Sequence, residues 1–305
     1  MLLVYVSQQG TICYGLFIFI IGVVGNAINI FIFGSVHKYR TTVSTFYYLI
    51  GSIVNFILMF TNVGMRIVYD GFVFEPGSNS NAVCKIRRFC NITFGMMSLC
   101  FSCLATIDQY FATSPNVRVR NCSNIKWAHR ITVIVIIICC LHGIPYLIFA
   151  NLSPVTGVCR YIDAIFEVYV PLFIVIVLVI IVGIVMISFG CLAFRNIEQT
   201  TILADQGAQK QLTRMICMQV ILVVFCLAPY GIFNIYMWCT SGISVTANPN
   251  SIQAVVSQLS GLFMWTNYAG SFYVFLIASS SFRRRVKCRF LCWRNKSRIK
   301  PTDQM

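Results

Sequence analysis

Acid–base, nucleophilic and metal chemistry all need titratable side chains brought together, and this sequence has few to bring. Its 305 residues include eight Asp and Glu and three His. His142 stands alone, and no paired carboxylates or nucleophile–base set lies in the long apolar runs. No enzyme, metal site or cofactor is therefore expected. Asp163 and Glu167 are four apart, on one face if that stretch is helical. Such a pair suits the capture of a cation. The rest of the distinctive chemistry is sulfur. Of fifteen cysteines, most lie in apolar runs, where a thiol packs as a small hydrophobe.

The elements that must position these groups are hydrocarbon-rich. The chain is 58% hydrophobic and 10% charged, with a mean hydropathy of +0.80. Soluble domains carry about 25% charged residues. A helix needs roughly 20 apolar residues to cross a bilayer, and lipid admits only helices or closed barrels. These runs do not alternate as barrel strands would. The gaps between charges, with turn signals at Ser241-Gly242 and Asn248-Pro249-Asn250, predict spans near 14–36, 43–65, 89–111, 131–150, 168–194, 215–238 and 252–278. The expected fold is an all-α bundle of seven transmembrane helices over 1–278, with a basic tail over 279–305.

The net charge of +15 is unevenly placed. Alternate connections and the tail, from Lys38 and Arg40 through Arg118, Arg120, Lys126, Arg130, Arg195, Lys210 and Arg214 to Lys300, hold 18 of the 23 basic residues. The positive-inside rule makes that side cytoplasmic and puts the N-terminus outside. This distribution accounts for the charge without a nucleic-acid partner. The opening Met-Leu-Leu-Val-Tyr-Val lacks a basic region, so the first span is expected to serve as a signal anchor. In the tail, Phe282, Val286 and Phe290 recur every four residues opposite a basic face, which predicts a short amphipathic helix on anionic headgroups. Cys288 and Cys292 there are lipidation sites or ordinary reduced thiols. Cys84, Cys159 and Cys239 fall on the outer, oxidising side, so Cys84 has two rival partners for a disulfide. Of three sequons, Asn151-Leu-Ser alone lies outside, with Pro154 close behind it.

The order of several short motifs resembles that of the rhodopsin-like G-protein-coupled receptors, over nearly the whole chain. Gly22-Val-Val-Gly25-Asn26 is similar to the family's Gly-Asn motif in the first helix. Asp108-Gln109-Tyr110 ends the third span, where the family has Asp-Arg-Tyr. Pro171 lies in the fifth span, Phe225-Cys226-Leu227-Ala228-Pro229 stands for Cys-Trp-x-Pro, and Phe282-Arg283 opens the tail. In flavour the chain looks like invertebrate FMRFamide-type neuropeptide receptors. The resemblance implies a Cys84–Cys159 bridge and a receptor at the plasma membrane. It also implies an activating motion of the last three helices toward a heterotrimeric G protein.

The departures fall on the family's activation machinery. Asn55 replaces Asp in the second span, which speaks against a sodium site. Gln109 replaces the motif's Arg and cannot form its charge-assisted pair with Asp108. Leu227 replaces the toggle Trp, and Val179 a common Tyr. Ser271-Phe-Tyr-Val-Phe275 stands in place of Asn-Pro-x-x-Tyr. Asn26, Asn55 and Asn267 are expected to form an interior polar cluster or to act as separate packing amides.

The seventh span has no lysine for a retinal Schiff base, and Asn91 occupies the acidic position of amine receptors. Retinal and monoamines are thus disfavoured and a peptide favoured. Arg88, Asn91, Asp163, Glu167, Tyr230, Phe233, Asn234, Gln258 and Trp265 are the expected pocket lining, with the two acids facing a basic peptide residue. The altered motifs keep open a seven-helix scaffold or decoy that does not couple. A transporter or channel fits less well, because the spans carry almost no ionisable groups.

Overall fold

A computed structural model of the chain describes residues 2–36, 42–72, 80–153, 159–199, 206–241 and 252–298. Lys38, Arg40, Pro154, Gly242, residues 248–250, Lys300 and the side chains of Phe290 and Cys292 lie outside this set. Within it, seven long helices follow one another. They are α1 (Leu2–Ser35), α2 (Val43–Tyr69), α3 (Asn81–Thr113), α5 (Ile125–Phe149), α6 (Ala164–Gln199), α7 (Gln206–Ser241) and α8 (Ile252–Ala278). A one-turn helix, α4 (Val117–Arg120), joins α3 to α5, and α9 (Ser280–Arg298) follows α8. Among the described residues, six helices, α1 to α3 and α5 to α7, are long and apolar enough to span a bilayer. The 27 residues of α8 rise about 40 Å, which is long enough to cross a bilayer. The expected all-α membrane bundle is what the chain forms.

Packing is circular: α1 lies on α2 and α8, α8 on α7, and α7 on α6, while α3 runs centrally against α2, α5, α6 and α7. The outward faces of α5 and α6 are largely hydrocarbon, with Ile134, Ile137, Ile138, Leu141 and Ile184 all exposed. In water that surface would be untenable; in lipid it is the favourable one. Pro145, Pro171 and Pro229 lie inside α5, α6 and α7. Just after Pro171, α6 winds as a π-helix over Ile174–Ile181.

The strands were not foreseen. Ala150–Leu152 (β1) and Cys159–Tyr161 (β2) pair antiparallel, with Asn151 opposite Arg160, in the connection from α5 to α6. The second is tied to α3 by a disulfide between Cys84 and Cys159. Cys239 is a free, exposed thiol.

The first turns of α9 dock on the bundle. Phe282 is fully buried against Phe33 and Phe275, and Val286 packs on the same core. Ser279 caps this helix, accepting from the Phe282 amide at 3.2 Å. Arg283 donates to the carbonyls of Leu276 and Ile277 at 2.6 and 3.0 Å, and Arg289 to that of Ser35 at 2.9 Å. These cations satisfy helix C-termini, where orphan carbonyls carry partial negative charge.

Small residues set the helix spacing. A Cβ on Gly22 would stand 3.0 Å from that of Ala269, and one on Gly143 would overlap Thr93 Oγ1 and stand 2.7 Å from the Phe89 ring. Close-packed interiors transmit such overlaps to the backbone rather than absorb them. Gly143→Ala is therefore expected to push α5 off α3 and destabilise the fold by about 2 kcal/mol. A drop of several degrees in the melting temperature of the purified protein would register it. An unchanged melting temperature would mean the α3–α5 contact yields freely.

Candidate functional site

Two groups of predicted residues occupy opposite ends of the bundle. At the Asp108 end, α3 delivers three successive side chains to different neighbours. Asp108 is buried, and among the described residues hydroxyls rather than a cation meet it. Ser44 of α2 donates to its Oδ2, and Ser123, just before α5, donates to its Oδ1 at 2.7 Å. Sequence reasoning left this acid without a partner. The hydroxyls that serve it are remote in sequence, so no local spacing revealed them.

Gln109 is completely buried. Its amide nitrogen donates to Gln209 Oε1 at 3.1 Å and to Thr213 Oγ1 at 2.8 Å, both on α7. Those two bonds use both N–H groups of the amide. Its carbonyl lies 3.3 Å from Ser44 Oγ, whose single proton goes to the nearer Asp108. The result is an uncharged latch between α3 and α7. Gln209 and Thr213, four apart on one helical face, escaped the sequence reading because neutral polar pairs in a helix give little signal. Tyr110 turns away, its ring edge-on to Phe189 of α6 at 5.5 Å.

A second α7 glutamine fixes the same helix end elsewhere. Gln211 Oε1 accepts from Ser279 Oγ at 3.1 Å and from the Ser281 amide at 2.9 Å. Beside these bonds is a small cavity of about 70 Å³, lined by Thr42, Gln209, Leu212, Met215, Ser279 and Arg285. Phe275 is fully buried among Phe33, Tyr48 and Phe282. Ser271 accepts from Asn29 at 3.3 Å. Leu227 is buried in the core, close to the exposed Pro229.

The three asparagines are all buried, and among the described residues no hydrogen bond joins one to another. Asn26 donates to the carbonyls of Gly22 and Tyr268 at 2.8 and 3.0 Å. Asn267 accepts from Gln219 at 3.5 Å. Asn55 keeps an unpartnered Oδ1. They act as separate helix-packing amides, the alternative kept open above. Cys288 is exposed on α9.

At the Cys84 end, the disulfide pulls β2 across the mouth of the bundle. Arg88 donates to the Cys159 carbonyl at 3.1 Å and lies over the Tyr161 ring at 5.4 Å. Burial pushes the Tyr161 phenol up, and the Arg88 guanidinium opposes that push. Tyr161 also feels Tyr230 of α7, whose ring approaches Gly261 of α8. The Arg66 guanidinium comes to the same glycine: a Cβ there would lie 3.3 Å from one of its nitrogens. Arg66 and Tyr161 were missed, since each reads from sequence as an ordinary loop residue. Trp265 is buried, its ring 5.3 Å from that of Tyr268, with the indole N–H unpartnered.

Other expected lining residues are diverted. Asp163 caps α6, accepting from the Phe166 amide at 2.8 Å. Glu167 sits in the first turn that follows, half-buried. Gln258 faces α1, donating to Thr11 at 2.7 Å and accepting from Ser7. Asn234 lines a lateral apolar crevice of about 270 Å³ between α6 and α7, with Leu172, Ile235 and Trp238. Asn91 and Phe233 are half-buried. His142, isolated in sequence, bonds Tyr169 at 2.9 Å and stacks on Phe173.

Residues 25–273 match the family model described as 7 transmembrane receptor (rhodopsin family). No curated protein matches the chain.

Proposed function

The chain belongs to the rhodopsin family of seven-transmembrane receptors, and on that premise we propose that it carries a neuropeptide signal from outside the cell to a heterotrimeric G protein. As a member it is a multi-pass plasma-membrane receptor and not an enzyme. The orientation we propose, N-terminus outside and α9 in the cytoplasm, is supported by the basic residues gathered at the Asp108 end.

The observation that carries coupling is the latch of Gln109 on α7. Ligand shifts a receptor between packings only by binding one of them better. A bond set that closes the Asp108 end gives such an equilibrium something to break. The small cavity lined by Gln209, Leu212 and Arg285 is what would widen to admit the G protein. At the other end, the peptide meets Arg88, Tyr161 and Tyr230 beneath the tethered hairpin. Asp163 is committed to its cap, so Glu167 is the carboxylate we assign to the arginine of an Arg-Phe-amide peptide. Trp265 and Phe233 complete the pocket, with Asn91, Asn234 and Gln258 at its margins. Cys288 and Cys292 are the proposed lipid anchors on the tail.

A second reading is favoured by Gln109 itself. A neutral residue there lacks the charge that the family presents to its G protein, and a scaffold or decoy has no use for one. The decisive measurement is G-protein dissociation in cells across several Gα classes, with and without amidated peptides. Gln109→Arg runs beside the native chain, with surface expression matched. Coupling by the native chain supports the proposal. Signal only from Gln109→Arg overturns it in favour of a receptor that has lost coupling, and silence from both favours the scaffold.

A further inference from the structure

We propose that Ser123 is a phosphorylation site whose occupancy releases the α3–α5 connection from Asp108. The modifying enzyme is a cytosolic protein kinase that reads arginines upstream of its target. This rests on the orientation proposed above, which puts that connection in the cytoplasm.

Three features of the structure converge on this hydroxyl. It is held by a specific bond, Ser123 Oγ donating to Asp108 Oδ1 at 2.7 Å. It lies in irregular backbone, after the turn that ends α4 and before the N-cap Asn124 of α5, and its neighbours Asn121, Cys122 and Asn124 are exposed. It is preceded by Arg118-Val-Arg120-Asn-Cys, which sets cations five and three residues upstream. Ser114, the other serine of this connection, is buried. A kinase can therefore reach Ser123 with the basic residues that guide it.

The chemistry is an ordinary phosphoryl transfer. The Ser123 Oγ–H proton passes to the kinase's base, an Oγ–P bond forms, and the bond from the γ-phosphorus to the bridging oxygen of the nucleoside triphosphate breaks. A nucleoside diphosphate leaves. The product has lost its donor. In its place are acceptor oxygens carrying about −1.5 to −2 charge, aimed at a buried carboxylate. Like charges in a poorly solvated site repel strongly, so the phosphate must leave Asp108. A better place is nearby. Ser123 stands next to the N-cap of α5, whose dipole favours an anion, and Arg118, Arg120, Lys126 and Arg130 all lie within seven residues of it in sequence. Asp108 would keep Ser44 alone, and the loop would no longer brace the end of α3.

The test uses the full chain in lipid nanodiscs, treated with Mg-ATP and a purified kinase that prefers arginine three residues upstream. Mass spectrometry should place phosphate on Ser123. Arg120→Ala should slow incorporation, by removing the guiding cation. Hydrogen exchange over residues 114–124 should quicken on phosphorylation by more than it does in Ser123→Ala, which loses the bond without gaining the charge. Ser123→Glu should follow the phosphorylated protein. Phosphate confined to other residues, or exchange no faster than in Ser123→Ala, would overturn the proposal. Orientation is read separately, from a tail epitope on intact and permeabilised cells. Detection on intact cells would sink the topology whatever the nanodisc result.

Discussion

Gln109→Ala is expected to loosen α7 from α3 and raise the population of the state in which the Asp108 end is open. The native side chain makes two hydrogen bonds to α7 from a fully buried position. Each contributes about 1 kcal/mol net, and truncation also strands Gln209 and Thr213. A loss of about 2 kcal/mol shifts a two-state equilibrium roughly 30-fold. Spin labels on the first turn of α7 and the last turn of α3 would show a new, longer distance in the variant. Where the chain couples, basal nucleotide exchange on the G protein should climb with that population. Thr213→Val, which removes one acceptor and keeps the volume, should give roughly half the effect on a free-energy scale. An unchanged distance distribution in both variants would mean that Gln209 and Thr213 do not restrain α7. Gln109→Arg should not mimic alanine. The introduced guanidinium needs a partner once desolvated, and Asp108 is the adjacent carboxylate, at present served by Ser44 and Ser123. A new ion pair between that guanidinium and Asp108 would draw the acid from the loop, so the two substitutions should differ in loop exchange even where both open the bundle.

Breaking the outer tether should cost more. The Cys84–Cys159 bridge closes a loop of 75 residues. In the chain-entropy account a loop of that length is worth about 4 kcal/mol, less where helices persist in the unfolded state. The double variant Cys84→Ser, Cys159→Ser is expected to reach the cell surface poorly and to melt well below the native chain. Reductant should lower the melting temperature of the native chain and leave that of the variant unchanged. Peptide binding should fail before folding does, because Arg88 and Tyr161 keep their contact only while β2 is held over α3. Cys239→Ser is the control, since that thiol is free. A loss of stability with Cys239→Ser equal to that of the double variant would show that the tether runs through the wrong cysteine.

What the sequence determined by itself follows from solvation. Charges are too costly in hydrocarbon to be scattered at random, so their gaps outlined the spans of a seven-helix bundle. The helical period over a short basic segment gave the tail helix and its apolar face. That face was expected on the headgroups, whereas Phe282 is fully buried against Phe33 and Phe275 and Val286 packs on the same core. Pairing of Cys84 with Cys159 came from family resemblance, because the side of the membrane alone left Cys239 as a rival. Contacts between helices were another matter. Nothing in the spacing of Ser44, Asp108, Gln109, Ser123, Gln209 and Thr213 says that they meet, since rotation and depth of packed helices are set by side-chain fit. Gly143 seated against Thr93 and Phe89 is the kind of contact that sets them. The same cause separated Asn26, Asn55 and Asn267 and drew Gln258 to α1, whereas the Asp163 cap is a local bond to the Phe166 amide three residues on. Solvation could be read one residue at a time; the latch, the tether's cargo and the seat of Ser123 existed only once α2, α3, α5 and α7 had packed.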